Sequence, residues 1–178
     1  MSKITFTKIR NVKSPNRAFD GTAAGTDFFI PEYSPEFYND LVAKNEKGHF
    51  DLAVTPSCTS MTMTIVPGGR INIPCGIKVL MDDDHTCLLA VNKSGIASKK
   101  GLVCGACLID SDYRGEVHLN VINTSNQPVS IKTGDKLIQF MHLPVLFPEW
   151  HEVSNDEYLN TASSTTRGEG GFGSSGTT

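Results

Sequence analysis

Nowhere in these 178 residues does an apolar run approach the ~18 residues that a membrane span needs. The segment 1–10 alternates in polarity and has no apolar stretch of the secretory-leader kind. The expectation is a protein made and kept in the cytoplasm, a host's cytoplasm if the chain is viral or phage-encoded. Positive charge is not in excess: 16 Lys and Arg stand against 19 Asp and Glu, a net of −3. A nucleic-acid clamp usually needs a basic face, so neither nucleic acid nor a membrane is an expected partner. The five histidines form no HxxxH pair. The five cysteines are an odd number without a leader, which argues for reduced thiols. Cys104-Gly105-Ala106-Cys107 is a lone CxxC. It reads as a redox pair, as half a zinc site lacking two matched ligands, or as small residues in a tight strand connection. No internal repeat is present.

What is present is 39% hydrophobic and 20% charged residues, a globular composition. A chain this long can bury a core without disulfides, and at ~150 residues per domain it predicts one domain. Alternation with period two dominates, as in Ile4-Thr5-Phe6-Thr7, Met61-Thr62-Met63-Thr64-Ile65 and Val117-His118-Leu119-Asn120-Val121. Leu88 to Val91 and Leu137 to Phe147 read as more fully buried strands. Turn signals separate them at Pro67-Gly68-Gly69, at the acidic run 82–84, at 123–128 and at Thr133-Gly134-Asp135. This spacing predicts an all-β sandwich, jelly roll or barrel.

One segment breaks the pattern. Ser34-Pro35-Glu36 offers an N-cap, a proline at the first helical position and an acid in the first turn. Phe37, Tyr38, Leu41 and Val42 follow at helical spacing, predicting one short helix over about 35–46 inside an insertion over about 33–60. The insertion is either a surface elaboration or a lid or docking element for a protein partner. Beyond Trp150 the chain turns polar, so 1–150 is expected to be the β domain and 151–178 a mobile arm.

Three segments carry chemistry. In the tail, five glycines between Gly168 and Gly176 bring backbone N–H groups close to an anion, and Ser174 and Ser175 add donors. Arg167 adds a forked cation, and Phe172 is a ring that can stack on a base. It is not a Walker A loop, because no Gly-Lys-Ser/Thr follows. A disordered Gly/Ser tail is the plain alternative. The second segment, Ile109 to Glu116, sets Asp110 and Asp112 beside Tyr113 and Arg114. A carboxylate is ionised at neutral pH and can act as a general base, although Asp-Ser-Asp is also good turn chemistry. In the third, Asn92 to Gly101, lysines and Ser94 in a loop suit phosphate oxygens or form a solvated loop.

Taken in order, these segments resemble the five motifs of the trimeric dUTP nucleotidohydrolases (dUTPases). Ala24 to Phe29 resembles the first and Lys93 to Lys99 the second. Leu108 to Val117 resembles the third, Gly134 to Gln139 the fourth and Arg167 to Gly176 the fifth. The resemblance implies a jelly-roll-like subunit, a homotrimer with active sites shared between subunits, and Mg²⁺-assisted hydrolysis of dUTP to dUMP and pyrophosphate. That reaction keeps uracil out of DNA and supplies dUMP for thymidylate synthesis.

By the same resemblance Asp110 orients and deprotonates the attacking water, and Tyr113 packs on the deoxyribose. Lys93, Ser94 and Gly95 bind phosphate oxygens, and Gln139 contacts phosphates and water. Gly105, Ala106, Leu108 and Ile109 line the nucleotide through a base-reading hairpin. Arg167, Gly173 and Ser174 clamp the terminal phosphate, and Phe172 stacks on uracil. Asp27 belongs to the network around the metal, through water. Two departures stand out. The second motif begins with Lys93 where the family has arginine, which keeps the charge and loses the fork. The stretch 101–108 is a residue or two short, with Cys107 where glycine is common. That puts base selection in question and leaves a hydrolase of another deoxynucleotide, or a deaminase, as the alternative.

Overall fold

Residues with period-two alternation form antiparallel strands in a computed structural model, which describes residues 3–162, 164–171 and 174. The chain divides into two units, Met1–Leu146 and Phe147–Thr178.

The first unit is built from β1 (Ile4–Lys8), β2 (Asn16–Arg17), β3 (Thr26–Asp27), α1 (Pro35–Ala43), β4 (Phe50–Val54), β5 (Met61–Ile65), β6 (Arg70–Pro74) and β7 (Ile77–Met81). It continues with β8 (Thr86–Asn92), α2 (Ser94–Lys100), β9 (Leu102–Cys104), β10 (Leu108–Asp110), β11 (His118–Asn123), β12 (Val129–Lys132) and β13 (Ile138–Pro144). The sheet orders are β1-β7, β10-β8-β13-β3-β2, β6-β11-β9 and β12-β5-β4. This is a jelly-roll type of fold without barrel closure. Strand β5 shows the physics plainly. Met61, Met63 and Ile65 are wholly buried, while Thr62 and Thr64 between them are half-exposed. Each fully buried side chain of this kind contributes about 1.5–3 kcal/mol. Strand β1 shows the limit of the pattern: it pairs with β7 in register, yet Phe6 stays 42% exposed.

Helix α1 starts as its sequence predicts. The Ser34 Oγ accepts from the Phe37 N–H at 3.1 Å, and Pro35 occupies the first turn. It stops at Ala43, short of the predicted end, with Lys44 as its C-cap. The segment is no mere surface elaboration. Phe37 and Leu41 are fully buried, and β4 pairs with β5 along its whole length. Asp40 holds Arg10 Nη2 at 2.5 Å, and the Arg10 guanidinium lies 5.8 Å from the Phe37 ring centre.

The described residues form three helices where one was predicted. Residues 94–100, read as loop, form α2, closed by Gly101 in the left-handed region at φ 65° with Lys99 and Lys100 in the last turn. In the second unit, within the segment read as a mobile arm, Asn155–Thr161 form α3. Its N-cap Ser154 accepts from the Glu157 N–H at 3.2 Å. Ser-Asn-Asp-Glu is a capping-box sequence.

The expected hairpin over 101–108 is also different. β9 pairs with β11 and β10 pairs with β8, so Gly105–Cys107 crosses from one sheet to another.

Candidate functional site

The stretch 108–117, which resembles the third motif, folds into a tight turn after β10. Its register, Asp110 opposite Cys87, fixes where the Asp110 carboxylate leaves the strand, and that side chain is exposed. The Tyr113 N–H donates to the Asp110 carbonyl at 3.1 Å, and the Tyr113 hydroxyl donates to the Glu116 carbonyl at 3.0 Å. Gly115 is obligatory here, because a Cβ would stand 2.2 Å from the tyrosine oxygen. Arg114 Nη1 donates to the carbonyls of Ser111 and Tyr113 and staples the turn. Asp110 and Tyr113 thus border one cleft of about 220 Å³, with the backbone and side chains of 106–109 on its wall. Asn72, His118 and Phe140 also line it. Leu108 is 58% exposed there, an apolar edge offered to a ligand.

Glu116 supports this cleft from below. Its carboxylate accepts from Arg10 Nε at 2.7 Å, Arg10 Nη2 at 2.9 Å and the Gly76 N–H at 2.7 Å. Burial opposes its ionisation, but the Arg10 and Gly76 hydrogen bonds outweigh that and hold it below the usual carboxylate range. His118 has one tautomer: Nδ1–H donates to the Glu116 carbonyl at 2.7 Å, so Nε2 accepts from Lys44 Nζ at 3.1 Å. Burial, and then the Lys44 charge, keep the imidazole neutral and its pKa low.

Residues of the stretches that resemble the first, second and fourth motifs meet elsewhere. Asp27 is buried, and its two oxygens are taken by Lys93 Nζ at 2.5 Å and Lys136 Nζ at 2.6 Å. Two ammonium groups thus face the carboxylate that the resemblance places in the network around the metal, through water. Lys93 likewise spends its charge on Asp27. Ser94 and Gly95 open α2 and are exposed, with nothing within 4 Å of a Cβ built at Gly95. Gln139 Nε2 donates to the Asn92 carbonyl at 3.2 Å, and its side chain fills the space over Gly25, where a Cβ would sit 2.5 Å from Oε1. Lys13, Lys93, Lys100 and Lys136 line a neighbouring hollow of about 430 Å³. None of these lysines, nor Ser94, Gly95 or Gln139, lines the Asp110 cleft.

In the second unit Arg167 Nε donates to the Gly170 carbonyl at 2.8 Å, and the exposed Ser174 N–H donates to the Gly171 carbonyl at 3.1 Å. Phe172 and Gly173 lie outside the described residues. All five cysteines are free thiols. Among the described residues no cluster of three or more His, Cys, Asp or Glu could hold a metal ion, and no helix is long and apolar enough to cross a membrane.

Sequence reading missed Asn120. Its backbone carbonyl accepts from the Gly105 N–H at 3.1 Å and its side-chain Oδ1 from the Ala106 N–H at 3.2 Å. Asn120 sits on the half-exposed face of β11, at a polar position of the alternation, so no local signal marked it.

The dUTPase family model matches residues 43–176. A deoxyuridine 5'-triphosphate nucleotidohydrolase of Actinobacillus pleuropneumoniae serotype 5b is 32% identical over 154 residues, 85% of this chain and 90% of that protein. One from Shewanella sp. (strain W3-18-1) is 41% identical over 118 residues, 65% of this chain and 74% of that protein. The dUTPase of Staphylococcus bacteriophage 80alpha, solved with dUpNHpp, superposes with a TM-score of 0.68 at 22% identity, covering 98% of each chain. A mutant dUTPase of the S. aureus phage phi11, described as coordinating a structural Mg(II) ion, superposes with a TM-score of 0.60 at 19% identity, covering 86% of this chain and 97% of that one.

Proposed function

The chain belongs to the dUTPase family, and from that premise we propose that it hydrolyses dUTP to dUMP and pyrophosphate in sites shared between the subunits of a homotrimer. The observation that carries this reading is the Asp110 cleft, where a carboxylate without a partner among the described residues stands beside a half-exposed tyrosine held over a glycine. In the step we infer, Asp110 takes a proton from water, the water oxygen bonds to the α-phosphorus, and the bond to the β-phosphate oxygen breaks. Tyr113 packs on the deoxyribose and leaves no partner for a ribose 2′-hydroxyl, which selects against UTP.

Ser94, Gly95 and Gln139 supply phosphate contacts, as do Arg167, Gly173 and Ser174, and Phe172 stacks on uracil. Lys93 acts on phosphate from the Asp27 clamp, as a charge rather than a bidentate donor. That the phosphate-binding set and the Asp110 cleft lie apart within one chain supports a site completed by neighbouring subunits. Among the described residues no group of three or more His, Cys, Asp or Glu makes a magnesium cage, and each Asp27 oxygen already meets a lysine ammonium. Mg²⁺ usually enters such sites on substrate phosphates, keeping several waters, and the cofactor role assigned to it here is of that kind.

The test is a panel of dUTP, dCTP, dTTP and UTP with Mg²⁺, read as pyrophosphate release. Preferential cleavage of dUTP is expected. No turnover of dUTP, or ammonia release from dCTP, would replace this reading with the other hydrolase or the deaminase.

A further inference from the structure

The wall of the Asp110 cleft is a three-residue link between two sheets, tied by backbone at its ends through the Gly105 N–H to the Asn120 carbonyl at 3.1 Å and the Ala90 N–H to the Cys107 carbonyl at 2.7 Å. Gly105–Cys107 leaves β9 and enters β10, which pair with different partners. Its position is set from both sides. On the β8 side, the Ala90 N–H donates to the Cys107 carbonyl at 2.7 Å, and the Asn92 Oδ1 accepts from the Cys104 N–H at 2.7 Å. On the β11 side the only side chain bonded to the link among the described residues is Asn120. Its carboxamide oxygen takes the Ala106 N–H and fills the space beside Gly105, where a Cβ would lie 2.1 Å from it. Ala106 and the two residues after it form the wall facing Asp110 and Tyr113.

We propose that Asn120 is a positioning residue that determines base selection. By holding the Ala106 N–H it removes that donor from the ligand and sets the edge that Ala106–Leu108 present to the base. This rests on the dUTP reading above for the identity of the ligand, but not for the contact itself. A one-atom change then propagates through a short link. Without the acceptor, the Ala106 N–H becomes available to either pyrimidine, and the edge is free to move. Misplacement of about 1 Å can cost ~10²-fold, and a single lost hydrogen bond about tenfold.

The experiment compares Asn120→Ala and Asn120→Asp with the parent. Asp keeps an oxygen acceptor for the Ala106 N–H and Ala does not. Amide hydrogen exchange at Ala106 is measured by NMR, with kcat and KM for dUTP and dCTP. Asn120→Ala is expected to lose Ala106 protection and to raise KM for dUTP roughly tenfold, with a smaller change in kcat and a fall in the preference for dUTP over dCTP. Asn120→Asp is expected to keep the protection and most of the preference. Protection unchanged in Asn120→Ala overturns the contact. Protection lost with the dUTP preference intact overturns the role in selection. Failure of the parent to cleave dUTP sinks the functional reading alone, since Ala106 exchange still reports whether Asn120 holds the link. If Asn120→Ala does not fold, Asn120→Asp decides: loss of the preference with Ala106 still protected refutes the proposal.

Discussion

Asp110→Asn is expected to cut dUTP turnover by roughly 10²–10⁴-fold while leaving nucleotide affinity nearly unchanged. The variant keeps the shape and hydrogen-bonding reach of the side chain but cannot accept water's proton. The backbone at this position is held by pairing with Cys87 and by the Tyr113 N–H, neither of which uses the carboxylate. The carboxylate is exposed and has no protein partner among the described residues, so the fold loses little, within about 0.5 kcal/mol. Single-turnover rates and the affinity for a non-hydrolysable dUTP analogue separate the two effects. An Asn variant that turns over at the parental rate would assign water activation to another group.

Glu116→Ala has the largest expected effect on stability, up to about 3–5 kcal/mol, because it removes the carboxylate that takes Nε and Nη2 of the buried Arg10 and leaves Asp40 as the guanidinium's remaining anionic partner. With ~5–15 kcal/mol typical of a whole domain, that is enough to shift the urea midpoint severely. Arg10 Nη1 is already buried without a hydrogen-bond partner among the described residues, and Asp40 reaches Nη2, so nothing replaces Glu116 at Nε. The same residue gives the pH arm. Glu116 and His118 both titrate lower in the folded chain than their ordinary 4.5 and 6.5. Each contribution is therefore complete above its ordinary value and fades as pH falls through the lowered one. The parent is expected to weaken first below pH 6.5 through His118 and again below 4.5 through Glu116. The variant is expected to lack the second decline. Urea unfolding across this range checks both, and a loss below about 1 kcal/mol at neutral pH would mean that Arg10 finds water instead.

Much of the fold was legible because alternation and capping are local. Met61–Ile65 and Leu119–Val121 bury the residues that the period predicts, and Ser34-Pro35 starts α1 where it should. The acidic run 82–84 is the exposed turn it reads as, with Asp83 accepting from the His85 N–H. Other features depended on tertiary partners. Nothing local says that β4 will pair with β5, or that Phe37 will be sealed by Arg10. The α2 and α3 helices are only seven residues each, too short for a hydrophobic stripe, and only their caps announced them. The site residues were legible through their types and order, while their grouping was not. Asp27 looks like a free acid until the fold brings Lys93 and Lys136 to it, 66 and 109 positions away.

That clamp has a kinetic corollary. One negative charge sits against two positive ones, and Lys13 and Lys100 stand at the rim of the same hollow. A molecule whose total charge of −3 repels polyanions at long range thus carries a local basin that funnels them inward. Such a funnel acts over about a Debye length, ~8 Å at physiological ionic strength. Added salt should therefore slow the capture of a triphosphate more than it hastens its escape.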